Sequence, residues 1–182
     1  MNSKRIVITG GPGSGKTSLI RYFEDLGHVC LPEISREVTF KAQQQGISQL
    51  FLEQPLLFSE LLLNGRKAQF LEAPSPENTP FLFYDRGLPD VTAYMDYLGT
   101  EYPSFFTETC NNLRYDAIFL LPPWEEIYIQ DNERYESYAQ AERLFEFLHQ
   151  AYQNYGYTVY HVPVGSIQYR GEYILKKIAS LF

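Results

Sequence analysis

The sequence predicts an α/β fold: a doubly wound five-stranded parallel sheet with helices on both faces and a helical insertion between strands two and three. Three observations predict it. Five short apolar runs alternate with segments of helical periodicity. The first run, Ile6-Val7-Ile8, passes straight into a glycine-rich loop and then a helix pattern. The third, Phe81-Leu82-Phe83-Tyr84-Asp85, is apolar until it ends in an acid, the pattern of a strand covered on both faces with a carboxylate at its functional end.

The loop after the first strand, Gly10-Gly11-Pro12-Gly13-Ser14-Gly15-Lys16-Thr17, fits G-x-x-x-x-G-K-[ST]. Its glycines let backbone N–H groups turn inward, and the helix beginning near Gly15 adds unpaired N–H groups and its positive end at the same place. A polyphosphate suits such a cradle. Lys16 is placed to reach the β- and γ-phosphates of a nucleoside triphosphate and the Thr17 hydroxyl to ligate the accompanying Mg²⁺. The candidate nucleotide-binding segment is therefore Gly11, Pro12, Gly13, Ser14, Gly15, Lys16, Thr17 and Ser18. Leu19, Ile20, Phe23 and Leu26 share one face of the following helix, and Gly27 ends it.

His28 to Leu31 reads as the second strand, stopped by Pro32. Glu33 and Arg36 follow, where open α/β sheets carry ligands beyond their strand ends. They read equally as a residue complementing a helix dipole and its solvated neighbour. Residues 34–46 and 48–71 are expected helical, separated by Gly46 and restarted by Ser48, with Pro55 as a kink. The span 48–72 is the insertion. Ala73 to Pro80, with three prolines, is loop.

Asp85, at the end of the third strand, is the candidate second Mg²⁺ ligand, with a turn cap as its structural alternative. Arg86 is either a substrate contact or a structural ion pair. Leu88-Pro89-Asp90 opens a helix reaching about Leu98, and Tyr102 to Asn112 forms another. The fourth strand is Ala117 to Leu120, closed by Pro122-Pro123. Residues 122–137 are a candidate lid, rich in charge, in which Arg134 would face the phosphates; the alternative is an ordinary solvated connection. Ser137 with Gln140 is a capping box opening a helix whose buried face is Ala141, Leu144, Phe145, Leu148, Tyr152 and Tyr155. Arg143 on that helix is a further candidate phosphate contact. Tyr157 to Val162 is the fifth strand, the loop 163–166 lies where purines are approached, and Gln168 to Leu181 is the last helix.

Composition narrows the function classes. At 182 residues and 45% hydrophobic content the chain is expected to form one domain, 1–182. A net charge of −7 argues against nucleic acid and anionic membranes as partners. The run from Leu50 to Leu63 is interrupted by Glu53, Gln54, Pro55, Ser59 and Glu60, so no transmembrane segment is expected. Cys30 and Cys110 have neither metal nor redox spacing, and the expected compartment is the cytoplasm.

The glycine loop looks like that of adenylate kinases. Together with Pro32-Glu33-Ile34-Ser35-Arg36, Phe83-Tyr84-Asp85-Arg86-Gly87-Leu88-Pro89-Asp90 and Asp131-Asn132-Glu133-Arg134, it resembles the small AAA-type P-loop NTPases related to the nicotinamide riboside kinase domain of NadR. The resemblance covers nearly the whole chain. Similarity to deoxynucleoside and thymidylate kinases is weaker, and it implies that Glu33 is the base toward an acceptor hydroxyl and that Asp85-Arg86 is the acid–arginine pair ending strand three. The second helical domain and arginine-finger arrangement of ring-forming AAA machines do not occur, so a monomer or small homo-oligomer is expected and not a hexamer.

The expected function is an ATP- and Mg²⁺-dependent phosphotransfer to a small hydroxyl-bearing, nucleoside-like acceptor. Lys16, Glu33, Asp85 and Arg134 would be catalytic, with either Glu33 or Asp85 the base, and Glu33, Arg36 and Arg86 would meet the substrate. GTP is the alternative nucleotide, although no Asn-Lys-x-Asp guanine signature occurs. The alternative functions are a nucleotide-gated binding or regulatory protein and a slow NTPase without an acceptor.

Overall fold

The structure, a computed structural model, describes residues 3–47, 49–73, 79–127 and 137–182. Five parallel strands, β1 (Lys4–Gly10), β2 (Val29–Leu31), β3 (Phe81–Asp85), β4 (Ala117–Leu121) and β5 (Val159–His161), lie in the order β2-β3-β1-β4-β5. Between them run α1 (Lys16–Asp25), α2 (Ile34–Gln44), α3 (Leu50–Glu53), α4 (Pro55–Glu72), α5 (Pro89–Leu98), α6 (Phe105–Asn112), α7 (Tyr138–Asn154) and α8 (Ile167–Leu181). Because β1 is central, pairing Ile8 with Asp85 on one side and with Phe119 on the other, the loop that follows it opens beside the ends of both neighbours.

Strand alternation sorts the core into two layers. Ile6, Ile8, Phe83 and Phe119 face α1 and α8, where they meet Leu19, Phe23, Ile174 and Ile178. Val7, Tyr84 and Ile118 face the other way, toward Leu63 of α4, Val91 and Met95 of α5, and Tyr152 of α7. Helices therefore cover both faces, as the near-continuous apolar strands require. The Ser137–Gln140 capping box forms with both of its reciprocal bonds. No helix among the described residues is long and apolar enough to cross a membrane.

Several boundaries differ from expectation. The helix expected over 48–71 is two helices, because Gln54 leaves helical geometry (φ −141°, ψ 69°) and Pro55 begins α4 at its first turn. A proline ring disfavours helical geometry in the preceding residue, so it starts a helix here instead of kinking one. Ser48, the expected restart, falls outside the described residues. α6 begins at Phe105, not Tyr102, with Pro103 and Ser104 leading into it. β5 is shorter than 157–162, and Leu26, expected on the buried face of the first helix, is its half-exposed C-cap residue.

Candidate functional site

β1 delivers the chain into the phosphate loop at Gly10, whose φ of 154° is out of reach for most side chains. A Cβ there would stand 2.7 Å from the Leu121 carbonyl oxygen. Gly15, at φ 83°, caps α1 without a side-chain bond, so the first N–H groups of the helix open into the loop. Ser14 donates its hydroxyl to the Gly11 carbonyl at 2.8 Å. Lys16 bends over the mouth of the loop and donates to the Gly10 and Gly11 carbonyls at 2.7 and 2.9 Å. Burial, reinforced by the neighbouring Arg86 cation, lowers the Lys16 pKa to about 8 although Asp85, Glu33 and Asp90 pull the other way.

From the strand ends on one side of the loop comes an ion-pair network. Arg86 donates Nε to Glu33 Oε1 at 2.7 Å and Nη1 to the Gly10 carbonyl at 3.0 Å, with Asp90 Oδ1 at 3.4 Å. It holds this position in the left-handed region, φ 72°, the one such non-glycine among the described residues. Both the Glu33–Arg86 pair and its anchor, Asp90, are drawn inward. Asp90 is fully buried and accepts from the Thr9 hydroxyl at 2.5 Å, the Tyr152 hydroxyl at 2.5 Å and the Gly87 N–H at 3.0 Å. Glu33 also accepts from the Ser35 hydroxyl at 2.7 Å. Burial alone would raise its pKa, but the Arg86 and Lys16 charges and these two hydrogen bonds hold it well below the usual carboxylate range.

Asp85 lies beneath, mostly buried, and its Oδ1 has no hydrogen-bond partner. Burial raises its pKa against the attraction of Lys16. The Thr17 hydroxyl receives only a long 3.5 Å contact from Arg36 Nη2, and Arg36 Nε stands 4.0 Å from Glu33. A buried carboxylate oxygen without a donor, felt by the Lys16 charge of the phosphate loop, is with the Thr17 hydroxyl a donor set of the kind that fits Mg²⁺.

The phosphate loop and the Glu33–Arg86 pair share one cleft of about 590 Å³, lined by residues 12–18 of the loop, Glu33, Ser35, Arg36 and Arg86, and further out by α2 and the start of α3. Glu33, Arg36, Arg86 and the loop thus come together, with Asp85 just below. Arg143 does not join them: it is exposed on α7, over Tyr97 and Phe147 at 5.8 and 5.9 Å, and does not line the cleft. Arg134 and most of the candidate lid fall outside the described residues, although Ile127, in the 3₁₀ turn Glu125–Ile127, reaches to 3.4 Å from the place of a Cβ on Gly15.

Three residues that sequence reasoning missed support the site. Besides Asp90, Arg66 of α4 is buried and donates to the Gly87 carbonyl at 2.8 Å, and Arg170 of α8 is buried and donates to the Ser14 carbonyl at 2.8 Å. Arg170 carries the clearer sequence signal, since with Ile174 and Ile178 it recurs every four residues on the buried stripe of its helix.

A family described as "AAA domain" matches residues 5–170 of the chain. No curated protein matches it significantly. Among solved structures it is similar to deoxyadenosine kinase from M. mycoides, with the products dCMP and a flexible dCDP bound, at a TM-score of 0.71 and 18% identity over 97% of this chain and 99% of that one. It is also similar to NadR protein in complex with NR, at a TM-score of 0.73 and 18% identity over 98% of this chain and 50% of that one. A NadR structure holding NAD and AMP-PNP gives a TM-score of 0.70. This chain spans about half the length of the NadR chain, and likeness at this identity concerns the fold.

Proposed function

Since the chain belongs to the AAA domain family, matched over residues 5–170, we propose that it is an ATP-dependent phosphotransferase whose acceptor is a small hydroxyl-bearing, nucleoside-like metabolite. One observation carries this reading: Glu33 lines the same cleft as the phosphate loop, so a carboxylate stands ready beside the place where a γ-phosphate would lie. The kinase structures of the same fold agree with it.

In this reading the loop N–H groups and Lys16 hold the triphosphate, and Lys16 releases the Gly10 and Gly11 carbonyls to do so. Thr17 and Asp85 are the residues that would hold Mg²⁺, which supplies positive charge to the phosphate oxygens. Glu33 orients the acceptor hydroxyl and receives its proton as the new oxygen–phosphorus bond forms and the bond to the leaving nucleoside diphosphate breaks. A carboxylate kept so strongly ionised is a weak base. That suffices where the transition state is loose and the protein's work is mainly positioning. Glu33 is preferred over Asp85 as the base because it lines the cleft and Asp85 does not. Arg86 fixes Glu33, and Arg36 meets the acceptor or its new phosphate. Arg134 of the lid completes the charge around the phosphates. A single domain acting in the cytoplasm as a monomer or small oligomer, with ATP preferred to GTP, is the form proposed.

The test is mass-spectrometric detection of a phosphorylated product after incubation with Mg-ATP and a pooled metabolite extract, compared with Lys16→Ala. The reading expects a product that disappears in the variant. No product from any pool favours the second reading, a nucleotide-gated binding protein, for which the exposed Leu52, Leu56, Leu57 and Leu61 on α3 and α4 are the supporting observation.

A further inference from the structure

We propose that Arg170 of α8 is a positioning residue for the donor nucleotide: from outside the phosphate loop it holds the Ser14–Gly15 peptide so that the Gly15 N–H turns into the cleft, toward the phosphates. The inference rests on the nucleotide-binding half of the phosphotransferase reading and is indifferent to the acceptor.

Arg170 is only 2% exposed, and its Nη2 donates to the Ser14 carbonyl at 2.8 Å. A trans peptide is planar, with its C=O and N–H pointing opposite ways. Pinning the Ser14 oxygen to α8 therefore aims the Gly15 N–H away from that helix. Ser14 and Gly15 both line the cleft, and no group among the described residues accepts from the Gly15 N–H. That donor is left for a ligand oxygen. Glycine by itself does not fix the orientation. Gly15 stands at φ 83°, and a flip of the peptide before it would carry it to negative φ, which glycine adopts about as readily. The flipped peptide would present a carbonyl dipole to the phosphates. The two positions are also matched sterically: a Cβ on residue 15 would stand 2.7 Å from Arg170 Nη1, so the arginine fits because residue 15 has no side chain.

Charge gives an independent reason. Arg86, which also donates to a loop carbonyl, is paired with Glu33 and Asp90. Arg170 forms no ion pair with a carboxylate among the described residues, and its Nε has no hydrogen-bond partner. Burial lowers its pKa with no acid to offset the effect. A buried cation without a countercharge is costly. A polyphosphate in the loop supplies the negative charge that the protein does not, so the Arg170 charge is unbalanced in the empty loop and balanced in the filled one. The cationic donor on the Ser14 oxygen also polarises the peptide, which makes the Gly15 N–H a stronger donor to a phosphate oxygen.

The test combines calorimetric titration of the full chain with Mg-AMP-PNP and nuclear magnetic resonance of the Gly15 amide. Ser14–Gly15 is the one Ser-Gly step in the sequence, so isotope labels on serine carbonyls and glycine nitrogens isolate that single resonance. We expect the Gly15 amide proton of the unmodified protein to move downfield when Mg-AMP-PNP binds. Arg170→Met should weaken binding about tenfold and lose most of that movement, and Arg170→Lys, which keeps a charged donor, should fall between the two. A residue that merely packs would lower the melting temperature and leave the Gly15 response intact. Unchanged affinity in both variants, or weakened binding with the Gly15 resonance moving as before, would overturn the assignment; if Arg170→Met does not fold, Arg170→Lys decides by the same two readouts. Failure of the unmodified protein to bind Mg-AMP-PNP would remove the nucleotide reading and the role of Arg170 with it, whereas binding without any phosphorylated product would remove only the transfer to an acceptor.

Discussion

Replacing Asp90 with asparagine should cost far more stability than its place at the start of an ordinary helix suggests. Its carboxylate, fully buried, serves four donors from three parts of the chain: Thr9 and Arg86 on Oδ1, and Gly87 N–H and Tyr152 on Oδ2. An amide can satisfy only one of these two edges. The hydroxyls of Thr9 and Tyr152 can rotate away, but the Arg86 guanidinium and the Gly87 N–H cannot. Breaking a buried charged pair by removing one partner costs about 3–5 kcal/mol, and a hydrogen bond to a charged group contributes about 1.5–3 kcal/mol. Asp90→Asn is therefore expected to lose about 4 kcal/mol, and Tyr152→Phe, which removes one donor, about 2 kcal/mol. In urea unfolding with a slope near 2 kcal/mol/M, the first appears as a midpoint lower by about 2 M and the second by about 1 M. The double variant should lose less than the sum, because both substitutions act on the same buried network. A loss below about 1 kcal/mol for Asp90→Asn would refute the network as the anchor of the Glu33–Arg86 pair.

Other expectations follow from single features. With its pKa lowered to about 8 by burial and Arg86, Lys16 sheds its proton in the free protein as pH rises past that value, whereas bound phosphates would hold the proton on. Nucleotide affinity should then be steady below pH 8 and fall by up to about tenfold per unit above it, and a flat profile to pH 9.5 in fluorescent-nucleotide titrations would count against Lys16 as the phosphate ligand. Gly10→Ala forces a Cβ to within 2.7 Å of a carbonyl oxygen, and thermal melts should show a loss of about 1–3 kcal/mol together with weakened nucleotide binding. Burial pushes the thiols of Cys30 and Cys110 up to about 12; Cys110 is fully buried, so at pH 8 it should react with a thiol reagent only as fast as the protein unfolds, and rapid labelling of Cys110 would contradict its burial.

What could be read in advance was whatever the chain encodes locally. The phosphate loop, the strand halted before Pro32, the strand ending in Asp85 and the Ser137–Gln140 box are each written in adjacent residues, and the structure forms each of them, with the strand before Pro32 one residue shorter than read. Pro55 was legible as a breaker, but whether it kinks one helix or begins another depends on Gln54, which had no mark in the sequence. The supports of the site were the harder part. Thr9 meets Asp90 across 81 positions, Tyr152 meets it across 62, and Arg170 meets Ser14 across 156. No spacing announces such partners, since they are set by strand order and not by neighbours. Arg86 shows the boundary well: its alternatives, substrate contact or structural ion pair, could not be separated from the sequence, and the structure gives it the ion pair while leaving it on the cleft wall.

The bond from Arg170 to the loop has a consequence for how the protein comes into being. The loop occupies residues 10–17 and leaves the ribosome early, yet the side chain that braces its Ser14 carbonyl belongs to α8, made much later. A growing chain can thus lay β1, β3 and β4 side by side while its phosphate loop is still unbraced. The grip on Ser14 must wait until Arg170, 156 positions further on, has been joined. Any premature stop upstream of α8 releases a product that retains the signature motif in its sequence and lacks the strut that holds it in shape.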